Sequence, residues 1–250
     1  MGVITYNGIT STSLGIVVET LPNYEFAEAE VEATHIPGRN GDAIISKGSY
    51  KNVDRSYSIA KGSLDGSYVT FANEINRWLH SADGKYAMLE DSYEPDYYRM
   101  AYFKSSGTFQ NILGQAVRAT ITFSCKPQRF LKNVNPIQMT STTIIQNVTG
   151  YETKPLINVV TTMPDAEFDI GDITVKFGVS HGSFYIDCES GLIYMLTSTG
   201  SGMNFANEVT FYDKNGIQTW DFPKLSSTDT RINPVKGISS ITVTPRWWVL

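Results

Sequence analysis

Ile241-Thr-Val-Thr-Pro-Arg-Trp-Trp-Val-Leu250 is the stretch whose reading decides the fold. Chain termini usually carry a few poorly ordered polar residues. This one carries two adjacent tryptophans, an arginine and a closing Val-Leu pair. A segment so apolar is expected to complete a β-sheet rather than dangle in water. Side chains alternate faces along a strand, so Trp247 and Trp248 point in opposite directions. One fills a core and the other meets a second surface, which points to a protein built for contact more than for chemistry.

Upstream of that stretch the pattern stays β back to about residue 156. Strands are predicted over residues 156–161, 167–170, 173–177, 183–187, 192–196, 208–212, 217–222 and 237–244, and Asp213-Lys-Asn-Gly216 supplies a hairpin turn. Short strands at regular spacing with turn signals between them predict a sandwich. A polar run at Thr140–Thr143, preceded by Lys126-Pro-Gln-Arg-Phe-Leu-Lys132 and Asn135-Pro136, marks a junction at about residues 126–150. The expected division is 1–135 and 136–250.

The first part mixes strands with one helix. Asn7-Gly8, just after Val3–Tyr6, is the strongest short hairpin signal. Residues 14–18, 25–32, 44–46, 55–60, 86–89, 99–103 and 113–124 read as strands, and Ile36-Pro-Gly-Arg-Asn-Gly-Asp42 as a dense turn. Between them, Tyr68, Phe71, Ala72, Ile75, Trp78 and Leu79 fall on one helical face. Asp65 or Ser67 is placed to cap that helix, and Gly84 follows its end. The fold class is therefore mainly β, with an α+β first domain carrying one amphipathic helix laid on a sheet.

Composition narrows the function classes. Among 250 residues, 18% are charged, against about 25% in an average soluble domain. Aromatics make up 12%, and they favour strands and interfaces. A net charge of −5 without any Lys/Arg run argues against a nucleic-acid-binding role. No stretch approaches the roughly 18 apolar residues of a membrane span. The first residues have neither the basic nor the apolar region of a secretory signal, and Gly2 lacks the Ser or Thr that myristoylation wants at position six, which is Tyr6. Cys125 and Cys188 each sit in a strand-like run and read as buried free thiols, in keeping with synthesis in a reducing cytoplasm.

Signals for chemistry are weak. Glu90, Asp91, Glu94 and Asp96, with Tyr93, Tyr97 and Tyr98, form the best enzyme-like cluster. A glycosidase needs two carboxylates about 5–9.5 Å apart across a sugar bond, and the plainer reading is a solvated loop with tyrosines packed beneath it. His35, His80 and His181 have no partner at metal-ligand spacing. Pro37–Ser49 lacks the Gly-Lys-Ser/Thr of a phosphate loop, and no Gly-x-Ser-x-Gly elbow occurs. Neither a cofactor nor a metal is expected, nor any catalytic residue. The tryptophans and tyrosines could stack sugars, Trp220 in a strand after a hairpin being a candidate, although core packing is the plainer reading for any one of them; a carbohydrate-binding β-sandwich contacting the host cell wall is the alternative reading.

Several segments, taken in order, resemble one family. They are Ile4-Thr-Tyr-Asn-Gly-Ile9 with Leu14-Gly-Ile-Val-Val18; His35-Ile-Pro-Gly-Arg-Asn-Gly41 followed by Gly48-Ser-Tyr50; the helix before Tyr86; Asp96-Tyr-Tyr-Arg-Met-Ala-Tyr-Phe103; Phe123-Ser-Cys-Lys-Pro-Gln-Arg-Phe130; Lys154-Pro-Leu156; and Thr244-Pro-Arg-Trp-Trp248. The set is similar to the distal tail proteins (Dit) of long non-contractile-tailed phages infecting Gram-positive bacteria. The resemblance implies a virion protein at the tail tip, made in the host cytoplasm. It implies a homo-hexameric ring with an N-terminal ring-forming belt and a C-terminal galectin-like sandwich. The implied partners are the major tail tube protein and the tail-associated lysin or hub protein, with the tape-measure protein and a receptor-binding protein as further ones. DNA passes through such a ring without being bound, and no membrane is involved. This chain has no room for an inserted carbohydrate-binding module. The candidate interface residues are Arg39, Asn40, Asp42, Tyr50, Tyr97, Arg129, Trp247 and Trp248.

Overall fold

A computed structural model of the chain describes residues 2–62, 68–106, 110–112, 116–178, 182–196 and 200–250. It is mainly β, with one α-helix, and divides into two compact units: Met1–Lys132 with Leu250, and Asn133–Val249.

In the first unit the antiparallel order is Ile9–Thr10, Ile4–Tyr6, Ala87–Asp91, Tyr97–Ser106, Ala116–Leu131, Val53–Gly62 and Val17–Val18. The sheet then returns on itself. Gly2 and Val18 exchange two backbone hydrogen bonds, at 3.0 and 3.1 Å, so the last strand pairs with the residue leading into Ile4–Tyr6. Closure removes two edges that would otherwise expose unpaired backbone groups. The interior follows from period-two alternation: Tyr57 and Ile59 on one strand, and Val117, Ala119, Ile121, Phe123 and Cys125 on its neighbour, are all buried. Tyr6, Tyr57 and Phe103 pack around the Phe123 ring at 4.7, 6.2 and 6.1 Å between centroids.

The helix spans Tyr68–Leu79 and buries Phe71, Ile75, Trp78 and Leu79 in the same core. Trp78 Nε1 donates to the Tyr6 carbonyl at 3.3 Å, which satisfies its one polar atom. Gly84, with φ 71°, makes the left-handed turn beyond its end. The proposed caps Asp65 and Ser67 lie outside the described residues, as do the side chain of Tyr68 and the segment 113–115 predicted as the start of a strand.

Two details differ from the sequence pattern. Within the stretch 126–132 that marks the expected junction, the strand that begins at Ala116 continues to Leu131. Pro127 is tolerated there because the pairing register with Tyr97–Ser106 shifts between Cys125 and Arg129, where the ladder does not call on its missing N–H. The acidic stretch at 25–32 is strand only from Ala29, which opens a two-stranded ribbon, Ala29–Thr34 with Ala43–Tyr50, that pairs with no other strand among the described residues.

The second unit stacks two six-stranded antiparallel sheets. One runs Ile137–Met139, Ile238–Thr244, Leu156–Thr161, Ser183–Asp187, Leu192–Leu196, Gly202–Asn204; the other runs Thr143–Ile145, Thr230–Lys236, Glu167–Ile170, Ile173–Phe177, Val209–Tyr212, Gln218–Thr219. Phe184 from the first meets Phe177 from the second at 4.9 Å, and Ile157, Val159, Ile186, Phe168 and Val175 fill the space around them. Cys125 and Cys188 are free and buried.

Candidate functional site

Among the described residues, the ribbon is the longest stretch that is almost wholly exposed. Cross-strand register puts Val31 opposite Ser46 and Ala33 opposite Ile44, so Val31, Ala33 and Ile44 share one face. The other face carries Glu32 opposite Ile45 and Thr34 opposite Ala43. Ile44 is 69% exposed, Ile45 62% and Val31 49%; the segment leading into the ribbon adds Leu21 at 67% and Phe26 at 87%. A lone two-stranded ribbon is marginal in water, and apolar patches of this kind mark contact surfaces.

Four of the candidate interface residues stand on this ribbon. Arg39 and Asn40 occupy its tip, an exposed turn shaped by Gly38 and Gly41 at φ 82° and 80°. The Arg39 N–H donates to the Ile36 carbonyl at 3.1 Å. Asp42 Oδ1 lies 3.4 Å from His35 Nδ1, and Tyr50 pairs with Ala29 at the base. Ile44, Ile45 and Phe26 were not among the sequence candidates. Ile44 and Ile45 form an adjacent apolar pair in the sequence, but their exposure on both faces is set by the fold.

Tyr97 and Arg129 stand elsewhere, beside a buried ionic cluster. The Arg129 guanidinium lies between the rings of Tyr24 and Tyr97, at 5.2 and 5.1 Å. It reaches Glu94 Oε1 at 3.4 Å, while Arg99 Nη2 donates to Glu94 Oε2 at 2.9 Å. Arg55 Nη2 donates to Asp91 Oδ2 at 3.0 Å, and the Tyr57 hydroxyl donates to the same oxygen at 2.7 Å. The other Asp91 oxygen accepts the backbone N–H groups of Tyr93 and Glu94 at 3.0 and 2.9 Å. The expected solvated loop is thus tied into the barrel, with Arg55, Asp91 and Arg99 all buried.

This geometry bears on the carboxylate chemistry. Burial raises the pKa of Asp91, but the Tyr57 hydroxyl and the Arg55 guanidinium outweigh it and hold the group below its ordinary value. Burial and the Asp91 charge push the Tyr57 hydroxyl well up. A general acid needs a raised carboxyl pKa; Asp91 moves the other way, and Glu94 is held between Arg99, Arg129 and Arg55. Asp91 and Glu94 are both tied into ion pairs with buried or half-buried arginines. His80 packs edge-on against Phe103 at 5.2 Å, and His181 lies outside the described residues.

In the second unit Trp247 is buried at 5% exposure, and Trp248 stacks on Tyr151 at 4.4 Å while its Nε1 donates to the Glu152 carbonyl at 3.0 Å. Trp220 is 88% exposed. Among the described residues, no three His, Cys, Asp or Glu side chains gather as metal ligands, and no helix is long and apolar enough to cross a membrane.

No protein-family model matches the sequence, and no curated protein does. Solved structures do. The SPP1 Dit protein, described as a paradigm of the hub adsorption apparatus in phages infecting Gram-positive bacteria, aligns over 100% of both chains with 17% identity and a TM-score of 0.69. A chain of the phage p2 baseplate in its activated conformation with Ca aligns over 98% of this chain and 97% of its own, with 11% identity and a TM-score of 0.56. The same baseplate with Sr gives 97% and 96% coverage, 10% identity and 0.55. The chain therefore shares the fold of the SPP1 Dit protein from end to end.

Proposed function

We propose that the chain is a structural tail-tip protein of the distal tail family, a non-enzymatic ring subunit that joins the tail tube to the tail-associated lysin or hub and anchors receptor-binding components. The observation that carries this reading is the ribbon, seen on a fold shared along its whole length with a phage hub protein. A chain that leaves Ile44, Ile45 and Phe26 in water has a surface to cover. In a ring, each copy's ribbon meets a different surface on the next copy, a head-to-tail contact that closes by rotation. The first unit is then the ring-forming belt and the second a galectin-like sandwich. The carbohydrate-binding alternative leaves the ribbon uncovered, which is why the ring is preferred.

A net charge of −5 fits a channel whose wall repels DNA and limits sticking during passage. Alanine or lysine in place of the channel-facing acids alters ejection on this reading, and unchanged ejection counts against it.

Negative-stain imaging and native mass spectrometry of the purified chain, alone and mixed with tail tube and hub proteins, test the ring. Sixfold particles are expected, and Ile44→Asp abolishes them while far-UV circular dichroism stays unchanged. A monomer in every mixture overturns the proposal.

A further inference from the structure

Asparagine precedes glycine three times in the chain, at Asn7-Gly8, Asn40-Gly41 and Asn215-Gly216. Glycine has no Cβ to shield its own amide nitrogen, so that nitrogen can approach the side-chain Cγ of the preceding asparagine. Hydrogen bonds that hold the asparagine amide or the glycine N–H oppose the approach. The three pairs differ in how they are held.

At Asn7 the side chain is tied down. Its Nδ2 donates to the carbonyl and to the hydroxyl of Ser81, both at 3.2 Å, and its backbone N–H donates to the Met88 carbonyl at 3.0 Å. The pair also forms the two-residue turn between Tyr6 and Ile9, which stand opposite each other in the sheet. At Asn215 both reacting groups are tied down: Nδ2 donates to Asp213 Oδ2 at 3.2 Å, and the Gly216 N–H donates to the Asp213 carbonyl at 2.9 Å. Asn40 and Gly41 stand exposed at the tip of the ribbon. Among the described residues, neither the Asn40 amide nor the Gly41 N–H has a hydrogen-bond partner. Gly41 has φ 80°, and a Cβ there would meet nothing within 4 Å, so the space around the pair is open.

We infer that Asn40 is a site of spontaneous deamidation driven by the Gly41 nitrogen, and that the fold directs the reaction to Asn40 and away from Asn7 and Asn215. The Gly41 nitrogen gives up its proton and forms a bond to Asn40 Cγ. The Cγ–Nδ2 bond breaks, and ammonia leaves with that proton. Water then opens the five-membered succinimide at one of its two carbonyls, leaving aspartate or isoaspartate. Nothing is oxidised or reduced, and water is the one co-reactant. In the turn Ile36–Asp42 the charges of Arg39 and Asp42 cancel, so the new carboxylate leaves the turn with one negative charge. A charge gained beside Arg39 changes which surfaces the tip can meet. The reaction goes beyond the ring proposal and does not depend on it.

The full chain carrying Ile44→Asp tests the inference, because that change keeps the tip free whether or not the parent assembles. Native and guanidinium-denatured samples are aged in heavy-oxygen water at mildly alkaline pH. Cleavage after glutamate then places each Asn-Gly pair on its own peptide, 1–19, 33–74 or 209–250, and mass spectrometry reads the heavy-oxygen carboxylate in each. In the native chain Asn40 gains it about tenfold faster than Asn7 and Asn215, or more, the factor that one net hydrogen bond holding back each competitor supplies. In the denatured chain the three rates converge. Asn40→Gln, whose longer side chain would have to close a six-membered ring, removes the signal from peptide 33–74. An unmodified Asn40 in the native chain overturns the inference. So do equal native rates at the three sites, a lead for Asn40 that persists unchanged after denaturation, or a signal in peptide 33–74 that survives Asn40→Gln. Native mass spectrometry of the parent reports on the ring separately, so failure of one reading is distinguishable from failure of the other.

Discussion

Arg55 and Asp91, 36 residues apart in sequence, meet at 3.0 Å inside the first unit with 5% and 4% of their side chains exposed. A buried ion pair adds little net stability, since each charge loses its water, but removing one partner strands the other. Asp91→Ala is therefore expected to destabilise the protein by about 3–5 kcal/mol. Arg55→Met with Asp91→Leu, which removes both charges, recovers most of that loss. Urea unfolding of the two variants against the parent checks the pair of expectations; equal losses in single and double variants would refute this account.

The same pair predicts acid sensitivity. Asp91 has a lowered pKa in the folded chain, because the Tyr57 hydroxyl and Arg55 override the effect of burial. A lowered folded pKa means that the unfolded chain binds the proton first. The stabilisation from Asp91 is thus complete above the ordinary carboxylate value of about 3.9 and is lost as pH falls through the lower native one. Asp187, also lowered because Arg246 outweighs burial, loses its share in the same window. Thermal unfolding between neutral pH and pH 3 should show a smaller acid-induced drop in Asp91→Asn than in the parent.

The two thiols give a test of packing. Burial pushes both Cys125 and Cys188 up to about 12, so neither forms appreciable thiolate near neutrality. A water-soluble aromatic disulfide reagent should label neither in the native chain and both after denaturation. Rapid native labelling of Cys125 would mean that the closed sheet opens readily.

Gly237 joins two strands that lie in different sheets, Thr230–Lys236 and Ile238–Thr244, with φ 66°. A Cβ there would meet Met163 Cγ at 2.5 Å and Ala166 Cβ at 3.2 Å. Backbone strain and the clash act together, so Gly237→Ala should lower stability by about 1–3 kcal/mol. Gly216→Ala, at φ 74° in an open turn, carries only the backbone part and should cost less. Chemical denaturation midpoints of the two variants rank them.

What the sequence shows and hides divides along local and non-local lines. The helix at Tyr68–Leu79 and the strands Leu156–Thr161, Glu167–Ile170 and Ile173–Phe177 are legible because side-chain period and turn residues are local. Thr230–Lys236 is hidden by Pro234, which sits opposite Phe168 next to a register shift. Asp91 looks like a surface acid because its partner Arg55 is brought to it only by the folded sheet. The ribbon is half legible: the turn at Pro37–Asp42 is plain in the sequence, but that neither face of Ile44-Ile45 is covered appears only in three dimensions.

Arg39 gives the sharpest test of the ring at the level of one side chain. It stands exposed at the tip of a ribbon whose turn is shaped by Gly38 and Gly41. In the proposed ring that tip reaches a neighbouring copy, where a guanidinium can grip a carboxylate or carbonyls through two parallel N–H donors. Loss of such a contact costs about 1.5–3 kcal/mol per interface, and the loss recurs at each interface around the ring. Arg39→Ala should shift native mass spectra from ring to monomer, and Arg39→Lys should not restore the ring, because an ammonium cannot reproduce the planar fork. Rings of unchanged stability in Arg39→Ala would remove Arg39 from the interface while leaving Ile44 and Ile45 as the residues that hold it.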